Sequence, residues 1–334
     1  MLGARTFVAS AFTLLVCAIF WNAAGCGSDD SAVAGTGGDA SVDGASSADG
    51  GSSGDGSSTS SDGAADDGAL VAKRPYNFHL PTSYDASKPT PLVVMLHGYG
   101  ASGALQESYF QLTPTSDAND FLYAYPDGTP DAAGKLFWNA DDACCNFGNV
   151  PVDDVAYVNA IIDDVESKYN VDTKRVYVIG HSNGAFMSHR LACDASDRIA
   201  AIVALAGAVW NDPSKCQPSS KISVLDVHGD ADTTILYNGG AVAMGAPPYP
   251  SEAQTMSTWA GKNGCTGALA DNGQTLDLDT GLAGNETTEQ TTASCPTGID
   301  VELWTIHGGA HIPALTHPTW GDAVWAFMKA HPKP

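Results

Sequence analysis

Basic side chains are scarce in this sequence: 15 Lys and Arg stand against 38 Asp and Glu in 334 residues, a formal net charge of −23. With so few cations there is no Lys/Arg stripe to neutralise phosphates, which excludes nucleic acid and other polyanions as electrostatic partners. Long apolar runs are lacking too. Phe7 to Trp21 is too short and too early for a spanning helix, so an integral membrane protein built of such helices is excluded. Metal-ligand spacing is missing as well: Cys144 and Cys145 have no intervening residue and no nearby His, and no other Cys/His spacing suits zinc. No metal and no organic cofactor are therefore expected. No internal repeat is visible, which removes solenoids and propellers.

The N-terminal region reads as an export signal. Arg5 supplies the positive n-region, Phe7–Trp21 the apolar core, and the small residues Ala23-Ala24-Gly25 precede Cys26. This resembles a bacterial lipobox, in which the cysteine is acylated and becomes the mature N-terminus, although Ala23 stands where Leu is usual. Ordinary cleavage near Ala24 is the alternative. From Gly27 to about Ala69 the chain is almost wholly Gly, Ser, Ala, Asp and Thr. Such a segment buries too little apolar surface to offset its ordering entropy and is expected to be a disordered linker, with an r.m.s. span of about 35–40 Å. The expected organisation is a signal over 1–26, a linker over 27–70 and one catalytic domain over 71–334. The only membrane association expected is a lipid anchor at Cys26, with the domain outside the cytoplasm: an outer-membrane or cell-surface lipoprotein, or an extracellular protein.

Six of the eight cysteines lie in the domain. An even count in an exported chain reads as disulfides. Sequence neighbourhood favours Cys193–Cys216 and Cys265–Cys295, which leaves Cys144 and Cys145 as a vicinal pair or as two free thiols.

Strand-like runs recur along the domain: Tyr76–Leu80, Pro91–Leu96, Phe121–Tyr125, Val176–Ile179, Ile199–Leu205, Ile222–Val227 and Val301–Ile306. Asp153 is placed to cap a helix whose Val155, Val158, Ile161, Ile162 and Val165 share one face. A last helix is expected over Ala323–Ala330, and the Gly/Thr-rich stretch 266–294 as an excursion of short strands and loops. Strands alternating with helices imply a mostly parallel sheet covered on both faces, an α/β-hydrolase fold.

The most informative stretch is Gly180-His181-Ser182-Asn183-Gly184, between the apolar run Val176–Ile179 and the helix-compatible Ala185–Leu191. A Gly-x-Ser-x-Gly pentapeptide in a strand–turn–helix setting is what a nucleophile elbow requires. A serine nucleophile needs a base, a carboxylate to orient that base, and two N–H donors for the developing oxyanion. In this fold they follow the order Ser, Asp/Glu, His, each after a strand. Two Asp compete in the loop His228-Gly229-Asp230-Ala231-Asp232; Asp232, deeper in the loop, is favoured, with Asp230 capping the turn. Likewise His311, beyond the two glycines of His307-Gly308-Gly309-Ala310-His311, is favoured over His307. His228 and His317 read as structural. His97, in Leu96-His97-Gly98-Tyr99-Gly100, is expected to support the oxyanion loop, and the two donors are the Tyr99 and Asn183 backbone N–H groups. Tyr99, Trp138, Trp210 and Trp320 are candidates to line an apolar cleft for substrate.

Leu96-His97-Gly98, Val152-Asp153-Asp154-Val155, Gly180–Ala185, His228-Gly229-x-x-Asp232 and Gly308–His311 occur in one order that resembles the secreted poly(3-hydroxybutyrate) depolymerase and feruloyl/acetylxylan esterase family, over about residues 75–330. The resemblance implies the same Ser182, Asp232 and His311, and a structural role for Asp153-Asp154 at the helix start. Many relatives follow the base with Thr-Trp-Pro where this chain has Ile312-Pro313, which makes Trp320 the candidate substitute. The expected activity is hydrolysis of carboxylic esters through an acyl-enzyme, with a polyester such as polyhydroxybutyrate as substrate. Feruloyl or acetylxylan esters are the alternative, and a non-catalytic surface-binding protein on a degenerate hydrolase fold is the reading of another class.

Overall fold

The computed structural model describes residues 62–334. The signal, Cys26 and most of the expected linker lie outside the described residues. The first helix, α1 (Asp62–Lys73), begins inside the stretch read as linker. Its sequence is rich in Ala and closes with Lys73 at the negative end of the helix dipole. Val71 packs on the core. Arg74, just past the helix, donates from Nη1 to Asp154 at 2.7 Å and lies 3.7 Å over the Tyr157 ring. Tertiary anchoring of its last turn thus overrides a linker-like composition.

The chain then alternates strands and helices: β1 (Asn77–His79), β2 (Thr90–Leu96), α2 (Gly103–Phe110), α3 (Leu112–Asn119), β3 (Leu122–Tyr125), the short hairpin β4 (Thr129–Pro130) and β5 (Leu136–Phe137), and α4 (Asp154–Lys168). There follow β6 (Val171–His181), α5 (Asn183–Asp194), β7 (Ala201–Leu205), β8 (Ser223–Gly229), α6 (Glu252–Asn263), β9 (Leu269–Leu276), β10 (Thr287–Thr292), β11 (Val301–Ile306) and α7 (Thr319–Ala330). Nine strands form one sheet in the order β1-β3-β2-β6-β7-β8-β11-β10-β9. From β3 to β11 every pairing is parallel, which explains why β2 and β8 are buried along their whole lengths and why β2 reads as a continuous apolar run. Successive residues of β2 feed two separate cores, Leu92, Val94 and Leu96 on one face and Val93 and Met95 on the other, so helices cover both faces.

Asp153 caps α4 by accepting from the Ala156 N–H, with Val158, Ile161, Ile162 and Val165 buried as the periodicity requires. One departure concerns the stretch 266–294: β9 and β10 extend the main sheet antiparallel beyond β11. The middle of β9 is exposed, so its sequence carries no apolar alternation to mark a sheet strand. Disulfides join Cys193–Cys216, Cys265–Cys295 and Cys144–Cys145.

Candidate active site

Strand register sets the level of the site. Leu96 pairs with Gly180 and Ile306 with Gly229, so the carboxyl ends of β2, β6, β8 and β11 finish side by side. The loops that leave these ends carry Tyr99, Ser182, Asp232 and His311, the position where sites form in open parallel sheets.

The turn between β6 and α5 is tight. A Cβ on Gly180 would meet the Gly184 carbonyl oxygen at 2.1 Å, and one on Gly184 would meet that of Leu96 at 2.1 Å. Both glycines are therefore demanded by backbone contact. Ser182 takes φ 54°, ψ −120°, a conformation that residues with a Cβ rarely adopt. Its side chain makes no cap to α5; Oγ lies instead 2.9 Å from Nε2 of His311. Nδ1 of His311 lies 2.7 Å from Oδ2 of Asp232. Oδ1 of Asp232 accepts from the Thr234 and Ile235 N–H groups at 2.7 and 3.0 Å. Although its burial works the other way, the hydrogen bonds from His228 and His311 hold the Asp232 carboxyl well below the usual carboxylate range. With the carboxylate ionised, Nδ1 of His311 carries the proton and Nε2 is free to accept one from Ser182.

The competing pair is accounted for separately. Asp230 binds His307 Nδ1 at 2.9 Å and the Gly308 N–H at 2.7 Å, so the two alternatives satisfy one another at the half-exposed rim.

On the β2 side, Nδ1 of His97 donates to the Gly98 carbonyl and Nε2 accepts from the Gly128 N–H, each at 2.8 Å. Burial pushes the His97 pKa down, in keeping with this neutral tautomer. Since the Gly98 carbonyl is fixed, a trans peptide aims the Tyr99 N–H the opposite way. Gln106 accepts from the Gly98 N–H at 3.2 Å. Neither the Tyr99 nor the Asn183 N–H has an acceptor among the described residues.

Trp138 corrects an expectation. It is fully buried and does not line the cavity beside Ser182; it braces the site from behind. Its indole N–H donates to the His97 carbonyl at 3.0 Å, while its backbone N–H and carbonyl pair with the Asn183 amide at 2.7 and 2.9 Å. Trp320 is also fully buried, packed on Phe110 at 5.1 Å, so it does not replace the missing Trp of the relatives. Trp210 lies between Arg190 and Lys215, away from the cavity. Large indoles bury well, and core demand accounts for Trp138 and Trp320, while Trp210 is partly buried against the same core as Trp138.

A cavity of 450 Å³ opens beside Ser182, with Tyr99, Leu105, Gln106, Tyr109, Thr234 and Ile312 among its walls. Of the expected lining residues, Tyr99 alone is here. The Tyr99 hydroxyl donates to Asp131 at 2.6 Å and that of Tyr109 to the Pro313 carbonyl at 2.8 Å. Both rings therefore offer apolar surface. Leu105 and Ile312 are 61% and 63% exposed at the mouth, and Phe147, 57% exposed, packs edge-on to Tyr99.

Sequence reasoning also passed over His181. Its Nε2–H donates to the His311 carbonyl at 3.0 Å, and burial together with the neighbouring His311 pushes its pKa down to about 4. A partner 130 residues away leaves no local signal.

Comparison with known proteins agrees with the fold. The model of the family described as Esterase PHB depolymerase matches residues 75–250. Feruloyl esterase B of Piromyces equi is 29% identical over 256 residues, covering 75% of this chain and 44% of that protein. Poly(3-hydroxyalkanoate) depolymerase C of Paucimonas lemoignei is 26% identical over 215 residues, covering 63% of this chain and 49% of that one. The chain thus spans about half the length of these two relatives. Among solved structures, the acetyl xylan esterase from Aspergillus awamori superposes with a TM-score of 0.54 at 19% identity, over 76% of this chain and 93% of its own. With a family model matched over more than half its length, the chain belongs to the PHB depolymerase esterase family.

Proposed function

We propose that this protein hydrolyses carboxylic esters through an acyl-enzyme formed on Ser182, and that its substrate is a water-insoluble polyester of the polyhydroxyalkanoate kind. The observation that carries the chemistry is the continuous chain Ser182 Oγ, His311 and Asp232, at 2.9 and 2.7 Å, opening into an apolar cavity. His311 Nε2 takes the Ser182 proton as Oγ attacks the ester carbonyl. The Tyr99 and Asn183 N–H groups receive the oxyanion, and Asp232 stabilises the imidazolium. His311 then protonates the departing alkoxide, and by the reverse transfer activates water to release the acid.

The polyester reading is supported by the exposed apolar side chains Leu105, Ile312 and Phe147 around the cavity mouth and by the occupied tyrosine hydroxyls. A feruloyl ester is the second reading, favoured by the ring faces of Tyr99 and Tyr109, which suit an aromatic acid. Parallel assays on a polyhydroxybutyrate film, methyl ferulate and acetylated xylan separate them. Release of hydroxy acids from the film as the fastest reaction is expected; preference for methyl ferulate would transfer the assignment to the second reading. Export, with an acylated Cys26 as anchor, belongs to the same proposal and is supported by the apolar leader and the three disulfides, which suit an oxidising compartment.

A further inference from the structure

Behind Asp232, on the side away from Ser182, the hydrogen-bond chain continues through two buried side chains that the acyl-transfer steps do not use. His228 is the penultimate residue of β8, and Glu252 is the first residue of α6. They are 1% and 2% exposed. Nε2 of His228 lies 3.1 Å from Oδ2 of Asp232, the same oxygen that faces His311, and 2.9 Å from the Ile235 carbonyl. Its Nδ1 is hydrogen-bonded to the Glu252 carboxyl. A carbonyl oxygen only accepts, so Nε2 must carry a proton. Nδ1 then meets Glu252, and wherever the second proton sits the His228–Glu252 pair is neutral as a whole.

We propose that His228 and Glu252 are positioning residues for the Ser182 reaction: Glu252 secures the second ring proton, on Nδ1 of His228, and the Nε2–H of the ring so charged fixes the Asp232 carboxylate for His311. The inference rests on the assignment of Ser182, His311 and Asp232 given above. It deepens that assignment, because Asp232 would otherwise hold its second oxygen by His311 alone. Against the burial that would lower it, Glu252 and Asp232 raise the His228 pKa to about 10, which favours the imidazolium at neutral pH.

The other groups facing the pair supply no compensating cation. His189 on α5 lies 3.2 Å from Asp226 on β8, and its Nδ1 accepts from the Trp259 indole N–H at 3.0 Å, which leaves it the neutral Nε2–H tautomer. The Tyr237 ring meets His228 edge-on at 5.6 Å. His181, beside His311, is kept neutral by burial. The charge that polarises Asp232 from behind is therefore that of His228, and Glu252 secures it.

Glu252→Gln and His228→Gln test the proposal by kcat, KM and the pH profile of kcat/KM on p-nitrophenyl butyrate, with the thermal midpoint as a check on folding. In Glu252→Gln the amide can donate to Nδ1, so the ring keeps its Nε2 proton and loses only its charge. Asp232, less polarised, then holds the His311 imidazolium more tightly. The acid limb is expected to move up by about half a pH unit to one, with KM little changed. A folded Glu252→Gln enzyme with wild-type kcat and a superimposable pH profile would overturn the proposal. Should that variant not fold, His228→Gln is read by the same criteria, since its amide can reach Asp232 without a ring charge. Failure of both to fold would also overturn it, by making the pair a folding element. Ser182→Ala is measured alongside: activity retained there defeats the serine assignment itself, whereas an inactive Ser182→Ala beside an unaltered Glu252→Gln defeats the positioning role alone.

Discussion

Ser182 bears backbone strain in addition to its hydroxyl, and the two separate by mutation. At φ 54°, ψ −120° a side chain with a Cβ costs on the order of 1–3 kcal/mol, and glycine escapes that cost. Ser182→Ala and Ser182→Gly both delete the hydroxyl that lies 2.9 Å from His311. Only the glycine variant releases the strain. Against this, glycine's looser unfolded chain takes back about 0.5–1 kcal/mol. The glycine variant is therefore expected to be the more stable of the two by on the order of 1 kcal/mol, which for a domain of this size is about 2–4 °C in Tm. Thermal unfolding of both by circular dichroism reads the difference, and neither should turn over an ester. A Ser182→Ala protein as stable as Ser182→Gly, or more so, would refute the claim that this turn is held under strain.

Further expectations follow from buried charge and cross-links. Because the His228 pKa is raised from about 6.5 to about 10, its contribution to stability is full below the unfolded value and lost as pH rises through the folded one. Tm should then decline between about pH 7 and 10, and decline less in His228→Gln; equal slopes in the two proteins would contradict the linkage. Arg74→Ala leaves the buried Asp154 carboxylate without its 2.7 Å partner and should cost about 3 kcal/mol in chemical denaturation, with α1 released; a loss under about 1 kcal/mol would show that α1 is not anchored there. Replacing Cys193 and Cys216 together by Ala opens a loop of 23 residues and should lower stability by about 3 kcal/mol; an unchanged denaturation midpoint would count against that bridge.

Much of this molecule was legible from the chain because its signals are local. The apolar runs of β2 and β7 have the continuous hydrophobicity that parallel strands need when both faces are covered, and Asp153 announces α4 as a cap. Ser182, Asp232 and His311 were readable because each follows a strand in a fixed order. What escaped reading depends on distant partners. Trp138 looked like a substrate platform, yet its indole and backbone are bound to His97 and Asn183. Glu252 is one acid among many in the sequence and acquires meaning only where α6 begins beneath β8. β9 and β10 join the sheet through backbone pairing, β9 along a largely exposed strand and β10 along a wholly polar one, Thr-Thr-Glu-Gln-Thr-Thr, so no apolar pattern marks them. The helix α1 is stabilised by Arg74 contacts to residues 53 and 80 positions away.

The most direct test of the central claim is to treat the wild-type protein with a fluorophosphonate and locate the adduct by mass spectrometry, with turnover of p-nitrophenyl butyrate followed in the same samples. The account predicts one phosphonyl group on Ser182, loss of turnover in proportion to labelling, and neither labelling nor turnover in Ser182→Ala. Undiminished hydrolysis by Ser182→Ala, or an adduct on a different residue that accompanies inactivation, would contradict it.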